Sequence, residues 1–309
     1  MRRAALLYNP QSGGRRPQRL SHVEASAKIL RDAGIDVSVA PTLGSVETSL
    51  QARQAAAEGC DAVFACGGDG TIHEVMQGLV GTSTALGILP LGTANALAHD
   101  LRLPLTAAGA ARAALKASVR RIGVGKIDYQ AFSGERQSRY FTVTAGIGVD
   151  ALLFYKLSLA VKTQLGMMSY YAKATHLWAT HPMHRFAVEL VESGRTRQAS
   201  VSQLLAVRIR NFGGVLRELA PGASLDRQDL RLVLFHTRSR MLYLSYILRG
   251  LLGTPWRSGG IELANAERVD CRLADDSAQR VYVEADGELV GTVPATISMV
   301  PDALSLLAP

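Results

Sequence analysis

The chain has 309 residues, of which 48% are hydrophobic and 19% charged, a composition typical of a folded globular protein and not of a disordered one. With 34 basic and 26 acidic residues, its formal net charge is +8. That excess favours an anionic partner, which is a nucleic acid, a phosphorylated ligand or a membrane surface. The length suffices for one large domain or two ordinary ones.

The three cysteines, Cys60, Cys66 and Cys271, are an odd number and show no CxxC spacing. They predict reduced thiols in a cytoplasmic protein rather than disulfides or a zinc site. Residues 75–98 carry no charge and could span a bilayer by length, but they include several glycines and Pro90. We therefore predict loops, a strand and helix ends there, and no transmembrane helix.

In chain order, the first ninety residues alternate between short apolar strands and segments of helical period. The predicted strands are Ala4–Tyr8, Ile35–Val39, Ala62–Cys66 and Leu86–Leu89, and the predicted helices are Arg19–Ala33, Val46–Glu58 and Thr71–Val80. Alternation of this kind predicts an α/β domain, in which a parallel sheet is covered by helices on both faces.

After about residue 120 the pattern changes to strands with little helix between them. The predicted strands are Tyr140–Ala145, Phe186–Val191, Leu204–Ile209, Leu230–Phe235, Val269–Leu273, Val281–Ala285 and Thr296–Val300. This predicts a mainly antiparallel β-sandwich with helical insertions. We expect an α/β domain at 1–120 and the β-sandwich at 121–309, with the last residues as candidates to pack back on the first domain.

The sharpest motif is the run Gly67-Gly68-Asp69-Gly70-Thr71, which follows a predicted strand and opens a predicted helix. Thr71 is expected to cap that helix, with Glu74 completing a capping box. Glycines let backbone N–H groups approach an anion, and an aspartate among them suits Mg²⁺ on a phosphate or a substrate hydroxyl. The alternative is a plain strand–helix turn whose glycines serve geometry alone.

Two further turns follow strands of the same predicted sheet, at residues 9–16 and at Pro90–Asn95. Parallel strands end along one edge, so three glycine turns there indicate a phosphate site. No GxxxxGK[ST] sequence is present. Residues 146–151 resemble a dinucleotide fingerprint, but no acidic residue lies between Asp150 and Glu189 to bind a ribose, which argues against a dehydrogenase.

Residues 151–188 and 230–261 contain no acidic residue but carry lysines, arginines, tyrosines and both tryptophans. This composition is typical of a surface that rests on anionic lipid headgroups. Alternatively, apolar parts such as Met241–Leu248 pack in the interior of the second domain; the sequence leaves both interpretations open. No motif supports nucleic-acid binding.

Six motifs in order make the chain resemble the diacylglycerol kinase and sphingosine kinase family of lipid kinases, specifically its soluble bacterial branch. The family's NPxSG, GGDGT, PxGTxN, GxGxDA, N–x–GG–P–A and DGE motifs resemble residues 9–13, 67–71, 90–95, 146–151, 211–223 and 286–288. The resemblance implies a first domain like that of NAD kinases and phosphofructokinases, followed by a β-sandwich.

The resemblance also implies ATP, with Mg²⁺, in the cleft between the two domains. The implied ATP-binding residues are Asn9, Ser12, Gly13, Thr42, Gly67, Gly68, Asp69, Gly70, Thr71, Gly92, Thr93 and Asn95. It implies Glu288 as the general base on the lipid hydroxyl, with Asp69 and Asp150 as further catalytic candidates. From the residues alone, Asp286-Gly287 indicates a hairpin turn beside an exposed glutamate.

Two positions depart from the family pattern. Ala96 stands where many bacterial members carry aspartate, and this leaves a diacylglycerol-like or a sphingoid-like substrate open. Arg227 stands where relatives place an aspartate that helps to hold a structural Mg²⁺. An arginine cannot ligate a metal, so we predict no structural Mg²⁺ site here, and expect the guanidinium to pair with nearby carboxylates instead.

The sequence thus predicts an ATP-dependent lipid kinase of phospholipid metabolism that is cytoplasmic and peripherally associated with an anionic membrane surface. A soluble-substrate kinase resembling NAD kinase is one alternative. Another is a basic membrane-binding protein with a degenerate nucleotide site. We expect no nucleic-acid partner, and the pattern leaves a homodimer open.

Overall fold

A computed structural model describes residues 1–12, 16–148, 183–213, 218–252, 259–273 and 280–309. The predicted site residues Gly13 and Asp150 lie outside these ranges, as does most of the acid-free stretch 151–188. The chain forms two compact units. The first comprises residues 1–124, 211–215 and 300–309, and the second comprises residues 125–210 and 216–299.

The first unit is built on a parallel sheet. Its strands are β1 (Arg3–Tyr8), β2 (Asp36–Pro41), β3 (Ala62–Gly67) and β4 (Ala85–Pro90), in the spatial order β4-β3-β1-β2. Strands β3 and β4 are buried along their whole length, as expected of parallel strands covered on both faces.

Five helices accompany this sheet: α1 (Arg16–Asp32), α2 (Ser45–Ala57), α3 (Asp69–Leu79), α4 (Ala96–Asp100) and α5 (Ala107–Ala114). Helices α1 and α5 share one core with the alternate strand residues Leu6, Phe64 and Cys66. Helix α2 packs against α3. All four strands and three helices predicted for this part of the sequence are present within a few residues of their expected limits.

Within its described residues, the second unit contains the remaining strands and one helix. Its elements are β5 (Ser118–Gln130, which begins in the first unit), β6 (Arg136–Phe141), β7 (Thr144–Gly148), β8 (Phe186–Glu192), β9 (Arg195–Val201), β10 (Gln203–Val207), β11 (Leu230–Phe235), α6 (Arg240–Leu252), β12 (Ile261–Ala266), β13 (Arg268–Leu273), β14 (Tyr282–Ala285) and β15 (Glu288–Ala308).

Two runs of strands face a common apolar core in this unit. One has the order β12-β11-β10-β7-β14-β15, and the other has the order β6-β5-β15-β13-β8-β9. The pairing is antiparallel along the first run, and Phe141, Phe186 and Leu232 contribute to the core between them. The predicted fold class, an α/β domain followed by a mainly antiparallel β-sandwich, is confirmed.

Strand β15 is long enough to serve both units. Its first residues pair with β14 and its middle with β13 in the second unit. Its last residues enter the first unit, where Ser305 and Leu306 pair in parallel with Ala85 and Leu86 of β4.

The prediction of one strand over Tyr140–Ala145 is wrong. The chain forms β6 and β7 with a break at Thr142 and Val143. The backbone N–H groups of Thr142, Val143 and Thr144 donate to the carboxylate of Asp286 at 2.8–3.0 Å. A backbone that donates to a side chain at these positions cannot donate to a neighbouring strand.

Among the described residues, no helix combines the length and the apolar character needed to cross a membrane. Residues 75–98 form the end of α3, strand β4 and the start of α4, as predicted. The three cysteines are buried free thiols.

Candidate active site

The four parallel strands of the first unit end along one edge, and the turns that follow them are joined by backbone hydrogen bonds. The amide of Asn9 donates to the carbonyl of Cys66 at 3.0 Å, and the amide of Leu91 donates to the carbonyl of Gly67 at 2.8 Å. Thr42 follows β2 at the same edge of the sheet. The structure therefore brings the predicted glycine turns together at the carboxyl edge of the sheet, where open α/β sheets bind ligands.

Two of these turns touch through their glycines. A side chain on Gly92 would place its Cβ 2.5 Å from the Cα of Gly68, and one on Gly68 would lie 3.3 Å from the Cα of Gly92. Asn95 closes the second turn, because its side chain accepts from the Gly92 amide and donates to the Gly92 carbonyl. The two glycines thus let the two turns pack backbone against backbone, and Thr93 is exposed beside them. We refer to these two turns, residues 67–71 and 90–95, as the cradle.

Helix α3 starts within this cradle. Gly68 precedes the helix, and the first intrahelical bond runs from the Ile72 amide to the Gly68 carbonyl at 3.1 Å. The N–H groups before Ile72 therefore have no acceptor within the helix and lie at the positive end of its dipole. Such an end of an 11-residue helix favours an anion.

The predicted capping box is wrong, because the helix begins two residues before Thr71 and has no side-chain cap. Thr71 instead packs on Gly67, where an added Cβ would lie 2.3 Å from the Thr71 hydroxyl oxygen. That hydroxyl is buried, and it has no hydrogen-bond partner among the described residues. Since buried polar atoms rarely stay unpaired, its position in the first turn of the helix fits a bound phosphate.

Asp69 links the two turns of the cradle. Its carboxylate accepts from the amide of Asn95 at 2.9 Å and from the amide of Ala96 at 2.7 Å. These bonds satisfy the start of α4, so Asp69 fixes the second turn beside the first. The two bonds hold the carboxylate at the junction of the two turns.

The first turn is organised by a residue that the sequence interpretation missed. The buried guanidinium of Arg19 donates to the carbonyls of Pro10 and Ser12. The side chain of Asn9 accepts from the amide of Gln11 at 2.7 Å, so it too shapes the turn. Only the burial of an arginine in α1 reveals this role, and a helical period in the sequence gives no sign of it.

Residues 211–213, the start of the segment that resembles the family's N–x–GG–P–A motif, belong to the first unit as well. The amide of Asn211 donates to the carboxylate of Asp100 at 2.9 Å, and Gly213 has a φ of 76°. A side chain on Gly213 would collide with the imidazole of His99 at 2.2 Å. The glycine therefore lets this loop lie directly on α4, beyond the cradle.

In the second unit, strands β14 and β15 form a hairpin whose two turn residues both have positive φ, 47° at Asp286 and 84° at Gly287. Two positive φ values define the two-residue turn that suits a twisted hairpin. The predicted hairpin at Asp286-Gly287 is confirmed.

Two carboxylates hold this hairpin in place. Asp286 accepts three backbone amides from residues 142–144, as described above. Glu284 is fully buried and accepts from the amide of Gly287 at 2.8 Å. A Cβ added to Gly146 of β7 would lie only 2.8 Å from an oxygen of the Glu284 carboxylate, which explains why β7 carries glycine at this position.

Glu288 is the third carboxylate of this group and the one not used for structure. It is the first residue of β15, opposite Ala285, and is half-buried. Its carboxylate makes no hydrogen bond or ion pair with any residue in the described ranges. A carboxylate on a rigid hairpin with unused acceptor capacity can take a proton from a substrate hydroxyl.

A second cluster in this unit surrounds Arg208, whose side chain is fully buried. Its guanidinium donates to the carbonyls of Leu225, Arg227 and Asp229 at 2.9–3.1 Å. Burial lowers the pKa of Arg208 to about 10, which leaves the group charged at neutral pH.

Arg227 pairs with the Asp229 carboxylate through two bonds of 2.6 Å. The Asp229 carboxylate and three carbonyls of this loop thus accept from two guanidinium groups, while the Asp226 carboxylate accepts from the hydroxyl of Ser224 at 3.3 Å. In the described ranges, no three His, Cys, Asp or Glu residues are grouped as metal ligands would be.

Comparisons with known proteins agree with this geometry. Residues 3–127 match the diacylglycerol kinase catalytic domain, and residues 143–308 match the YegS C-terminal NAD kinase β-sandwich-like domain. The chain is 28% identical over 297 residues to a diacylglycerol kinase of Bacillus subtilis, covering 95% of this chain and 92% of the relative. It is 25% identical over 311 residues to a diacylglycerol kinase of Staphylococcus aureus, covering 100% of this chain and 93% of that relative.

Solved structures share the fold. A diacylglycerol kinase of Bacillus anthracis has a TM-score of 0.71 at 19% identity, covering 99% of this chain and 97% of the other. Yeast NADH kinase has a TM-score of 0.57 at 11% identity, covering 100% and 84%. With both halves of the sequence matched in order, the chain is a kinase and belongs to the diacylglycerol kinase family whose catalytic domain is followed by a YegS-type β-sandwich.

Proposed function

We propose that this protein transfers the γ-phosphate of ATP to a hydroxyl of a diacylglycerol-like or sphingoid-like lipid. Membership of the diacylglycerol kinase family supports a lipid acceptor, and the start of α3, where the Thr71 hydroxyl has no partner among the described residues, supports nucleotide phosphate as a ligand. We assign nucleotide binding to the first unit and the lipid substrate to the second. The protein is proposed to act in the cytoplasm, in phospholipid metabolism.

On the nucleotide side, backbone amides at residues 67–71 and the Thr71 hydroxyl are proposed to bind phosphate oxygens. The turn containing Gly92 and Thr93 and the turn that begins at Asn9 border the same edge of the sheet, with Thr42 next to them. Ser12 is proposed to take part as well, and Gly13 stays a candidate from the family resemblance, outside the described residues. Asn95 is proposed to contribute by shaping its turn and not by direct contact with ATP, because its side-chain amide is hydrogen-bonded to the backbone of Gly92. Mg²⁺ bound with ATP would neutralise phosphate charge during transfer, and Asp69 is the carboxylate of this cradle that could face it.

On the acceptor side, Glu288 is proposed as the general base. Proton removal from an attacking hydroxyl needs a positioned carboxylate, and phosphoryl transfer otherwise needs little covalent chemistry from the protein. Asp286 and Glu284 keep the hairpin in place and leave Glu288 available. Asp150 stays a candidate from the family resemblance, and it lies outside the described residues.

The proposal is tested by ATP turnover with and without mixed micelles of diacylglycerol, monoacylglycerol, sphingosine or ceramide. We expect ADP release to depend on one of these lipids and a phosphorylated lipid to form. Turnover with NAD⁺ and none with any lipid would instead favour the soluble-substrate kinase, whose fold this chain shares. Absence of turnover with either would favour a membrane-binding protein with a degenerate nucleotide site.

Replacement of Asp69 by asparagine is expected to weaken MgATP binding about tenfold. Asparagine is uncharged and has only one acceptor oxygen, so one of the two amides at the start of α4 loses its partner and the other keeps only a neutral bond; a bond to a charged group is worth about 1.5–3 kcal/mol. Isothermal titration calorimetry measures the change.

Asp61→Asn is the matched control, because Asp61 also accepts two backbone amides, from Arg2 and Arg3, but lies at the opposite end of β3. Asp61→Asn should leave MgATP affinity unchanged. Equal affinities for Asp69→Asn and the unaltered protein would remove Asp69 from the nucleotide site.

A further inference from the structure

Helix α6 has one face packed in the second unit. Tyr243 and Tyr246 are buried and lie against Phe235, with ring centroids 5.5 and 5.0 Å from it. The hydroxyl of Tyr246 donates to the carbonyl of Leu219 at 3.1 Å. These contacts fix the helix in one rotational setting, so its opposite face has a defined direction.

That opposite face is apolar and exposed. The exposed fractions are 70% for Met241, 38% for Leu244 and 47% for Leu248. Their spacing of three and four residues places them in one stripe along the helix, and Tyr243 and Tyr246 fall on the other side. The packed-interior interpretation of Met241–Leu248 is therefore correct for the tyrosines and wrong for the stripe.

The segment that holds this stripe carries charges of one sign. Residues 230–261 contain no aspartate or glutamate. At 100° per residue, Arg240 and Arg249 fall on either side of the stripe, and Arg238 is exposed just before the helix. An apolar stripe bordered by arginines is the pattern of a helix that lies in the interface of an anionic bilayer.

A second exposed apolar pair in the protein provides a comparison for this stripe. Val46 and Leu50 of α2 are 61% and 60% exposed and are also four residues apart, like Leu244 and Leu248. Their helix carries one acidic residue, Glu47, and one basic residue, Arg53, and is followed by Glu58. This segment therefore has no cationic excess to attract anionic headgroups, so net charge distinguishes the two stripes.

We propose that the stripe of Met241, Leu244 and Leu248, with its bordering arginines, docks this protein on an anionic phospholipid bilayer. This rests on the proposed function and deepens it, because it names the surface from which the lipid substrate is taken. The apolar side chains enter the headgroup boundary, and the arginines contact phosphate groups at its surface.

The first experiment is sedimentation with vesicles of phosphatidylcholine and phosphatidylglycerol in equal amounts, and with phosphatidylcholine alone. The unaltered protein should bind the anionic vesicles, and less so at high salt. Leu244→Ser/Leu248→Ser should lower the partition coefficient about tenfold or more. Val46→Ser/Leu50→Ser, the control with the same spacing, should bind as the unaltered protein does.

A second experiment leaves the stripe almost intact. Met241→Cys introduces an exposed thiol, whereas Cys60, Cys66 and Cys271 are buried, and burial raises the pKa of all three thiols. An environment-sensitive fluorophore should therefore react selectively at position 241. Its emission should shift to shorter wavelength when anionic vesicles are added, and the same label on Leu50→Cys should not respond.

The docking proposal is overturned if the protein does not bind anionic vesicles or if both double-serine variants bind them equally well. It is also overturned if the emission of the label at position 241 does not change when these vesicles are added. A dimer that depends on the stripe in the absence of lipid would also overturn it, by assigning the face to a second copy of the chain. Lipid phosphorylation in detergent micelles tests the proposed function separately. Docking without phosphorylation would refute the kinase proposal alone.

Discussion

Replacement of Glu288 by glutamine is expected to lower kcat for lipid phosphorylation about 100-fold or more, while MgATP affinity stays near that of the unaltered protein. Glutamine keeps the size and position of the side chain but cannot accept a proton. Since Glu288 makes no bond to the described part of the chain, its loss should not disturb the hairpin. Steady-state kinetics with lipid micelles and calorimetry with MgATP measure the two quantities.

Glu267→Gln is the matched control, because Glu267 is an exposed glutamate of the same unit between β12 and β13. It should leave kcat and stability unchanged. Glu284→Gln should behave differently from both, since it alters a fully buried carboxylate and should lower the thermal midpoint. Normal turnover by Glu288→Gln would remove this residue from the mechanism.

Replacement of Arg208 by methionine is expected to destabilise the second unit by about 3 kcal/mol or more. The guanidinium donates hydrogen bonds to three carbonyls of residues 225–229, and methionine would leave these acceptors without a donor. A loss of that size corresponds to a fall of about 10 °C in the thermal midpoint. Circular dichroism during heating measures it, without nucleotide present.

Arg210→Met controls for charge and size two residues away. Arg210 is 77% exposed and forms a 3.7 Å ion pair with Glu218, a type worth about 0–1 kcal/mol. Its replacement should shift the midpoint little. Because two guanidinium groups use the Asp229 carboxylate and three carbonyls of this loop, we expect equal midpoints in Mg²⁺ and in EDTA. A midpoint raised by Mg²⁺ without nucleotide would contradict our proposal of no structural metal.

The architecture was predictable where local pattern and burial coincide. Strands β3 and β4 are continuous apolar runs, and the structure buries both completely. The glycine turns follow such strands directly, so their convergence on one edge follows from parallel topology. The hairpin at Asp286-Gly287 was predictable because few residue pairs adopt two positive φ values at low cost.

Roles that depend on distant partners could not be predicted in this way. Asp286 reaches residues 142–144, which interrupts a segment whose apolar pattern indicated a single strand. Arg19 and Arg208 lie in segments whose apolar period suggested only a helix and a strand. The sequence shows only that a charged residue stands within an apolar pattern. It does not show which backbone carbonyls that residue will donate to in the folded protein.

The pairing of β15 with β4 has a consequence for the order of events on the ribosome. Strand β4 is translated long before Ser305 and Leu306, the residues that cover its edge. Until those residues have been made, the first unit presents an unpaired sheet edge, which is a template for wrong pairing. The parallel sheet of the first unit is therefore completed only after the strands of the second unit have been translated.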